Sequence, residues 1–276
     1  MDEPSSTPAS SLPRSPRAAA PPPGAGAPAG PTRPPRLWAT VLAGLGPAAI
    51  LALPIGALGS RWGVWHYTRG LAIIGAGLAL ALVACLGSVI GLLLARRRDL
   101  SRDLSRIRFA GATGLATFVL LGIQPGGDPF APPIHDISTD FTNPPELIAL
   151  REHRGEDANP LVRTAAMDAM QIEAYPWVQP LVLEAEPDAV FEAAAFLAEE
   201  MGLDIVSRSP LRGVIEAVAT TFWFGFKDDV VIRVRGDAGM TTVDVRSVSR
   251  VGRSDLGTNA DRIGEFLERL AESVPP

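Results

Sequence analysis

Three apolar runs dominate the first half of the chain: Leu37 to Gly59, Leu71 to Ala95, and Ile107 to Ile123 with Arg108 near its start. A helix needs about 20 apolar residues to cross the hydrocarbon core of a bilayer. The runs therefore predict three membrane helices within residues 37–123, the third at the lower limit of length. Pro47 and Pro54 interrupt the first run, and are tolerable because neighbouring helices satisfy the freed carbonyls. Gly77, Ala81, Ala84, Ser88 and Gly91 recur in steps of four and three, which gives the second helix a small-residue side for close packing. Trp38, Trp62, Trp65 and Tyr67 fall near the ends of the runs, where an aromatic belt is expected.

Beyond residue 123 the pattern changes. Residues 124–145 are rich in Pro, Gly and Asp and read as a linker, with Asn143-Pro144-Pro145 as a helix entry. Val178 to Glu184 reads as a strand, and Pro180 within it points to a sheet edge. Pro187 opens a helix whose stripe is Val190, Phe191, Ala194, Leu197, Ala198 and Met201, closed by Gly202. Strands follow at Leu203–Ser207, Val214–Phe222, Lys227–Arg235 and Thr241–Ser247. Val230, Ile232 and Val234 lie on one face of the fourth strand, Arg233 and Arg235 on the other. A last helix starts at Thr258, with the hydroxyl and Asp261 in a capping arrangement. Consecutive hairpins demand antiparallel pairing. The order predicts an α+β, two-layer sandwich: a mainly antiparallel sheet, two helices on one face, and an uncovered face showing Arg233, Arg235, Asp244 and Arg246.

Charge assigns sides. Of 276 residues, 25 are basic and 30 acidic. Residues 1–123 carry 12 basic and 4 acidic residues, and residues 124–276 carry 13 and 26. Arg96, Arg97, Arg98, Arg102, Arg106 and Arg108 crowd the second connection, while the first has only Arg61 and Arg69. Positive connections stay cytoplasmic. The N-terminus is then inside the cytoplasmic membrane and residues 124–276 form an extracytoplasmic domain of the cell envelope. Residues 1–36, with eleven prolines, read as a disordered tail. An acidic domain outside makes nucleic acid an improbable partner. The single Cys85 excludes an intrachain disulfide.

Three stretches carry candidate chemistry. Asp136-Ile-Ser-Thr-Asp140 sets two carboxylates four apart, but not the six or more oxygens that calcium takes. Such Asp residues before turns bond local backbone, so no metal is expected. Asp228-Asp229 follow Trp223-Phe-Gly-Phe226. Paired carboxylates do acid/base work when burial separates their pKa values, and the aromatic hairpin can touch a membrane interface; the alternative is a packed turn with a solvated acidic pair. Asp244 to Asn259 runs off a strand, through a glycine-containing loop, to a helix N-terminus. Helix N-termini with nearby Arg attract anions. Arg246, Ser249, Arg250 and Asn259 can thus hold a phosphate or carboxylate, with Asp228 and Asp229 nearby. The competing reading is an Arg–Asp network, Asp228, Asp229, Asp244 and Asp255 against Arg246, Arg250 and Arg253, that pins the loop to the sheet. Serine-hydrolase, phosphate-loop and zinc-protease motifs are missing, so no cofactor is expected and no catalytic set is assigned.

Residues about 132–271 resemble the domain of unknown function 1499 family. The resemblance rests on Pro133-Ile-His-Asp136-Ile-Ser-Thr-Asp140, Asn143-Pro-Pro145, Tyr175-Pro176, Ile215-Glu-Ala217 and Phe224-Gly-Phe-Lys-Asp-Asp229-Val. It continues through Val243-Asp-Val-Arg-Ser247, Ser249-Arg-Val-Gly252, Ser254-Asp-Leu-Gly257, Asn259-Ala and Arg262-Ile263. It implies a membrane-tethered extracytoplasmic domain and carries no catalytic residue to transfer. The resulting expectation is a membrane-anchored envelope protein whose partners are the lipid bilayer and an envelope ligand or protein. Its rivals are a carboxylate-dependent envelope hydrolase using Asp136, Asp140, Asp228 or Asp229, and a scaffold acting through a sheet edge or the Trp223–Phe226 hairpin.

Overall fold

The structure is a computed structural model that describes residues 34, 36–95, 100–123, 127–128, 130–237 and 239–274. The proline-rich tail, apart from residues 34 and 36, and Arg96 to Arg98 lie outside the described residues. Helices α1 (Leu37–Arg61), α2 (Tyr67–Ala95) and α3 (Leu104–Gly122) are each long and apolar enough to cross a membrane. α1 runs through both prolines without a break. The small side of α2 is buried: Gly77, Ala81, Ala84, Ser88 and Gly91 all face the neighbouring helices. Backbones approach closely there, as a face of small residues allows. A Cβ on Gly77 would lie 2.6 Å from that of Ala52, and one on Gly114 of α3 would lie 2.8 Å from the Ala81 carbonyl oxygen.

The remainder is an α+β domain built on one antiparallel sheet. Its strands are β1 (Asp136–Ser138), β2 (Leu181–Leu183), β3 (Asp204–Ser209), β4 (Val214–Thr220), β5 (Lys227–Asp237) and β6 (Met240–Ser249). The order is β1-β6-β5-β4-β3, and β2 joins β6 beside β1. β2 pairs with Leu181 opposite Val243, β1 with Asp136 opposite Val248. Both short strands thus share one edge, with Pro180 just before β2. Helices α5 (Pro187–Glu200) and α6 (Thr258–Ser273) cover one face. The main core lies between them and the sheet, where Ile215, Ile232, Val245, Ala194, Ile263 and Leu270 are sealed from solvent. Alternation along each strand forces this division, since every second side chain points to the same face.

Three features depart from expectation. Asn143-Pro144-Pro145 starts no helix; the helix of this region is α4 (Ala165–Ala174), capped by the Thr164 hydroxyl, which accepts from the Met167 amide. Thr258 does not cap α6. Asp255 does, accepting from the amides of Gly257 and Asn259 at 3.0 and 2.9 Å. The second face of the sheet is not open. The chain between β1 and α4 crosses it, and Leu147 and Leu150 form a small second core with Val218, Val231 and Val248. Asp244 and Arg246 are consequently buried.

Candidate functional site

The strand period of two splits the polar signature between the two faces. Asp228, Ser249 and Asn259 lie on the α6 side. Asp229, Arg246 and Arg250 make their side-chain bonds on the other side. The six candidate residues do not converge on one pocket. On the α6 side, Arg262 donates to Asp228 Oδ2 at 2.8 Å and to Ser247 Oγ at 2.9 Å. Ser247 Oγ in turn donates to Asn259 Oδ1 at 2.6 Å, and the Asn259 amide donates to Ser249 Oγ at 3.0 Å. This cluster bolts the first turn of α6 to the ends of β5 and β6.

On the other face three buried carboxylates each hold two arginines. Asp136 takes Arg246 at 2.7 Å and Arg163 at 2.9 Å. Asp229 takes Arg250 at 2.6 Å and also Arg154. Asp244 takes Arg233 at 2.9 Å and Arg235 at 2.7 Å. Asp136, Asp229 and Asp244 are buried, so their charges are tolerable only because they are paired and further hydrogen-bonded. Arg246 also donates to the carbonyls of Pro145 and Leu161, and Arg250 to that of His153. The arginines thereby staple the covering segment to the sheet.

Glu216 works in the same way without a cation. It is fully buried in β4, and its two carboxylate oxygens accept the amides of Ile148, Ala149 and Leu150, each at 2.9 Å. Arg154, Arg163 and Gln171 are network members that the sequence did not single out, and Arg262 and Glu216 stood there only within the family resemblance, without a role. Only Glu216 left a signal, a lone carboxylate in the apolar run Val214-Ile-Glu-Ala-Val218. Arg154 and Arg163 sit in an aperiodic polar segment that offers no pattern to read.

Asp140 sits at the rim. Burial opposes its ionisation, but the amides of Asn143 and Thr142 and the Arg233 guanidinium outweigh that and hold the carboxyl below the usual range. Asp255 goes the other way: burial pushes its carboxyl up, two cap amides pull against it, and the Asp228 charge adds to the rise. Burial and then the charges of Asp255, Asp261 and Asp128 push the Tyr175 phenol up to about 12.

One candidate residue reaches a cavity. Arg250 lines a space of about 330 Å³ where the domain meets the α1–α2 connection, together with Lys227, Trp65, His66, Tyr67 and Phe224. The seam is formed by the hairpin between β4 and β5. Arg61, in the last turn of α1, donates to the carbonyls of Thr221 and Phe222. Tyr67 meets Phe226 edge-on with centroids 5.6 Å apart. Gly225 turns the hairpin at φ +69°, and a Cβ there would lie 3.2 Å from Arg61 Cγ. The aromatic hairpin is thus half committed: Phe224 and Phe226 face the helices, whereas Phe222 is 71 % exposed.

Residues 136–270 match the model of the family described as "Protein of unknown function (DUF1499)". No match to a curated protein was found. From β1 to the last turns of α6, therefore, this chain resembles the DUF1499 family, with that domain carried behind three helices of membrane-spanning length.

Proposed function

We propose that this is a multi-pass protein of the cytoplasmic membrane whose α+β domain, on the extracytoplasmic side, binds a ligand or partner and catalyses nothing. The observation that carries the reading is the contact of Arg61 with Thr221 and Phe222. It sets the domain at the α1–α2 end of the helices, opposite the Arg-rich α2–α3 connection. Positive connections are retained in the cytoplasm, so the domain lies outside and the N-terminus inside. Binding is favoured over hydrolysis because Asp136, Asp228 and Asp229 are each spent on arginine. Of the six candidate residues, Arg250 is the natural contact, since it borders a cavity.

Membrane-impermeant maleimide labelling of intact cells tests this. In a Cys85→Ala background, Leu211→Cys on the domain is expected to label without permeabilisation, and Arg102→Cys in the α2–α3 connection only after it. The reverse pattern would overturn the assignment of sides.

A further inference from the structure

We infer that the seam cavity binds the phosphate-bearing headgroup of an anionic phospholipid. This names a ligand for the reading above, and rests on it only in that α1–α3 cross a membrane; it holds for either leaflet. The cavity opens where α1 ends and α2 begins, the depth at which headgroups sit. Trp65 and Tyr67, the residue types favoured at membrane interfaces, form one wall. Trp62, Val64 and Phe222, in the same connection and hairpin, are exposed apolar residues.

The charge of the cavity is opposite to that of the domain around it. Residues 124–276 carry 26 acidic against 13 basic residues, yet no carboxylate is among the residues lining the cavity. Lys227 and Arg250 are. Lys227, the sole lysine of the chain, is exposed and makes no ion pair among the described residues. Arg250 shares Asp229 with Arg154, so two guanidinium groups face one carboxylate and leave excess positive charge. Arg61, packed against Gly225 of the cavity wall, adds to it. A volume of about 330 Å³ is at the low end for small-ligand sites, which suits a polar headgroup whose acyl chains stay in the bilayer along the helices.

Lys227 is the residue to change, because Arg250 also anchors the domain. The full-length chain, purified in detergent, is titrated with phosphatidylglycerol or phosphatidylcholine and followed by native mass spectrometry. One phosphatidylglycerol is expected to be retained in preference to phosphatidylcholine. Lys227→Gln should weaken phosphatidylglycerol about fivefold, the contribution of one basic residue at an anionic surface. Lys227→Arg should restore it, and Arg212→Gln, remote on the domain, should change nothing. Equal retention of both lipids, or an unaffected Lys227→Gln, would overturn the inference. Retention of glycerol phosphate as tight as that of the lipid would move the site to a soluble phosphate and overturn it too. A reversed labelling pattern in the topology experiment would change the leaflet and leave the site standing.

Discussion

Asp228 and Asp229 are consecutive residues of β5 that serve opposite faces of the sheet, Asp228 bound to Arg262 of α6 and Asp229 to Arg250 and Arg154. Their adjacency in sequence suggests a carboxylate pair; the strand period of two separates them. Acid/base chemistry between two carboxylates needs their charges to meet in one site, and here each meets its own arginine.

The stabilities of Asp228→Asn and Asp229→Asn should accordingly add. In thermal melts of the full-length protein, the coupling between the two is expected to stay within about 0.5 kcal/mol, as for sites with no shared partner. Each alone should cost about 3–5 kcal/mol, because a largely buried guanidinium loses its counter-charge. A large coupling would mean that the two acids act together.

Glu216→Gln tests how the covering segment is held. The amide keeps one acceptor but points an N–H at a backbone N–H, so at least one of the Ile148, Ala149 and Leu150 amides loses its partner. The expected cost is about 3 kcal/mol, or roughly 10 °C in melting temperature for a domain of this size. Faster amide exchange should be confined to the segment around Leu150.

Asp140 predicts a pH dependence. Its folded carboxyl titrates below the usual Asp value of about 4. Folding therefore gains stability from it above that value, and loses the gain as pH falls through the lower folded value. Asp140→Asn should lower the melting temperature by a few degrees at pH 7, the pair with Arg233 being worth about 1 kcal/mol near the surface. The difference from wild type should shrink steadily as the melts are moved from pH 5 to pH 2.

Arg61→Ala should release the hairpin from the helices while leaving the sheet intact. Loss of two charge-assisted hydrogen bonds to Thr221 and Phe222 is worth about 1–2 kcal/mol, which raises local opening about tenfold. Hydrogen exchange of residues 221–226 reports it. Unchanged exchange there, or an equal rise in β5 and β6, would show that the contact does not hold the hairpin.

Much of the architecture was legible in the chain. The three helices begin and end within a few residues of the apolar runs, because a long apolar segment in lipid must pair its own backbone groups and only a helix does so within one segment. The small-residue side of α2 was readable for the same reason: its five residues face inward, where a larger side chain would hold the helices apart. Strands β3 to β6 and helices α5 and α6 followed from periods of two and 3.6, which local backbone geometry imposes whatever the partner. The polar residues Asp228, Asp229, Arg246, Ser249, Arg250 and Asn259 were recognisable as a group for their density alone.

Their roles were decided by contacts across long stretches of sequence. Arg246 meets Asp136, 110 positions away, and Glu216 meets Leu150, 66 away; no local pattern encodes either distance. The Asn143-Pro144-Pro145 segment reads locally as a helix entry. It forms no helix because carboxylates and guanidinium groups of the sheet take its neighbouring backbone amides and carbonyls as partners. The sequence by itself determined which elements form, because hydrophobic period and chain length act locally. Only the tertiary structure decided that the charged face of the sheet is sealed, that adjacent acids part company, and that the hairpin rests on the apolar helices, because desolvating a charge is tolerable only where a distant partner arrives to bond it.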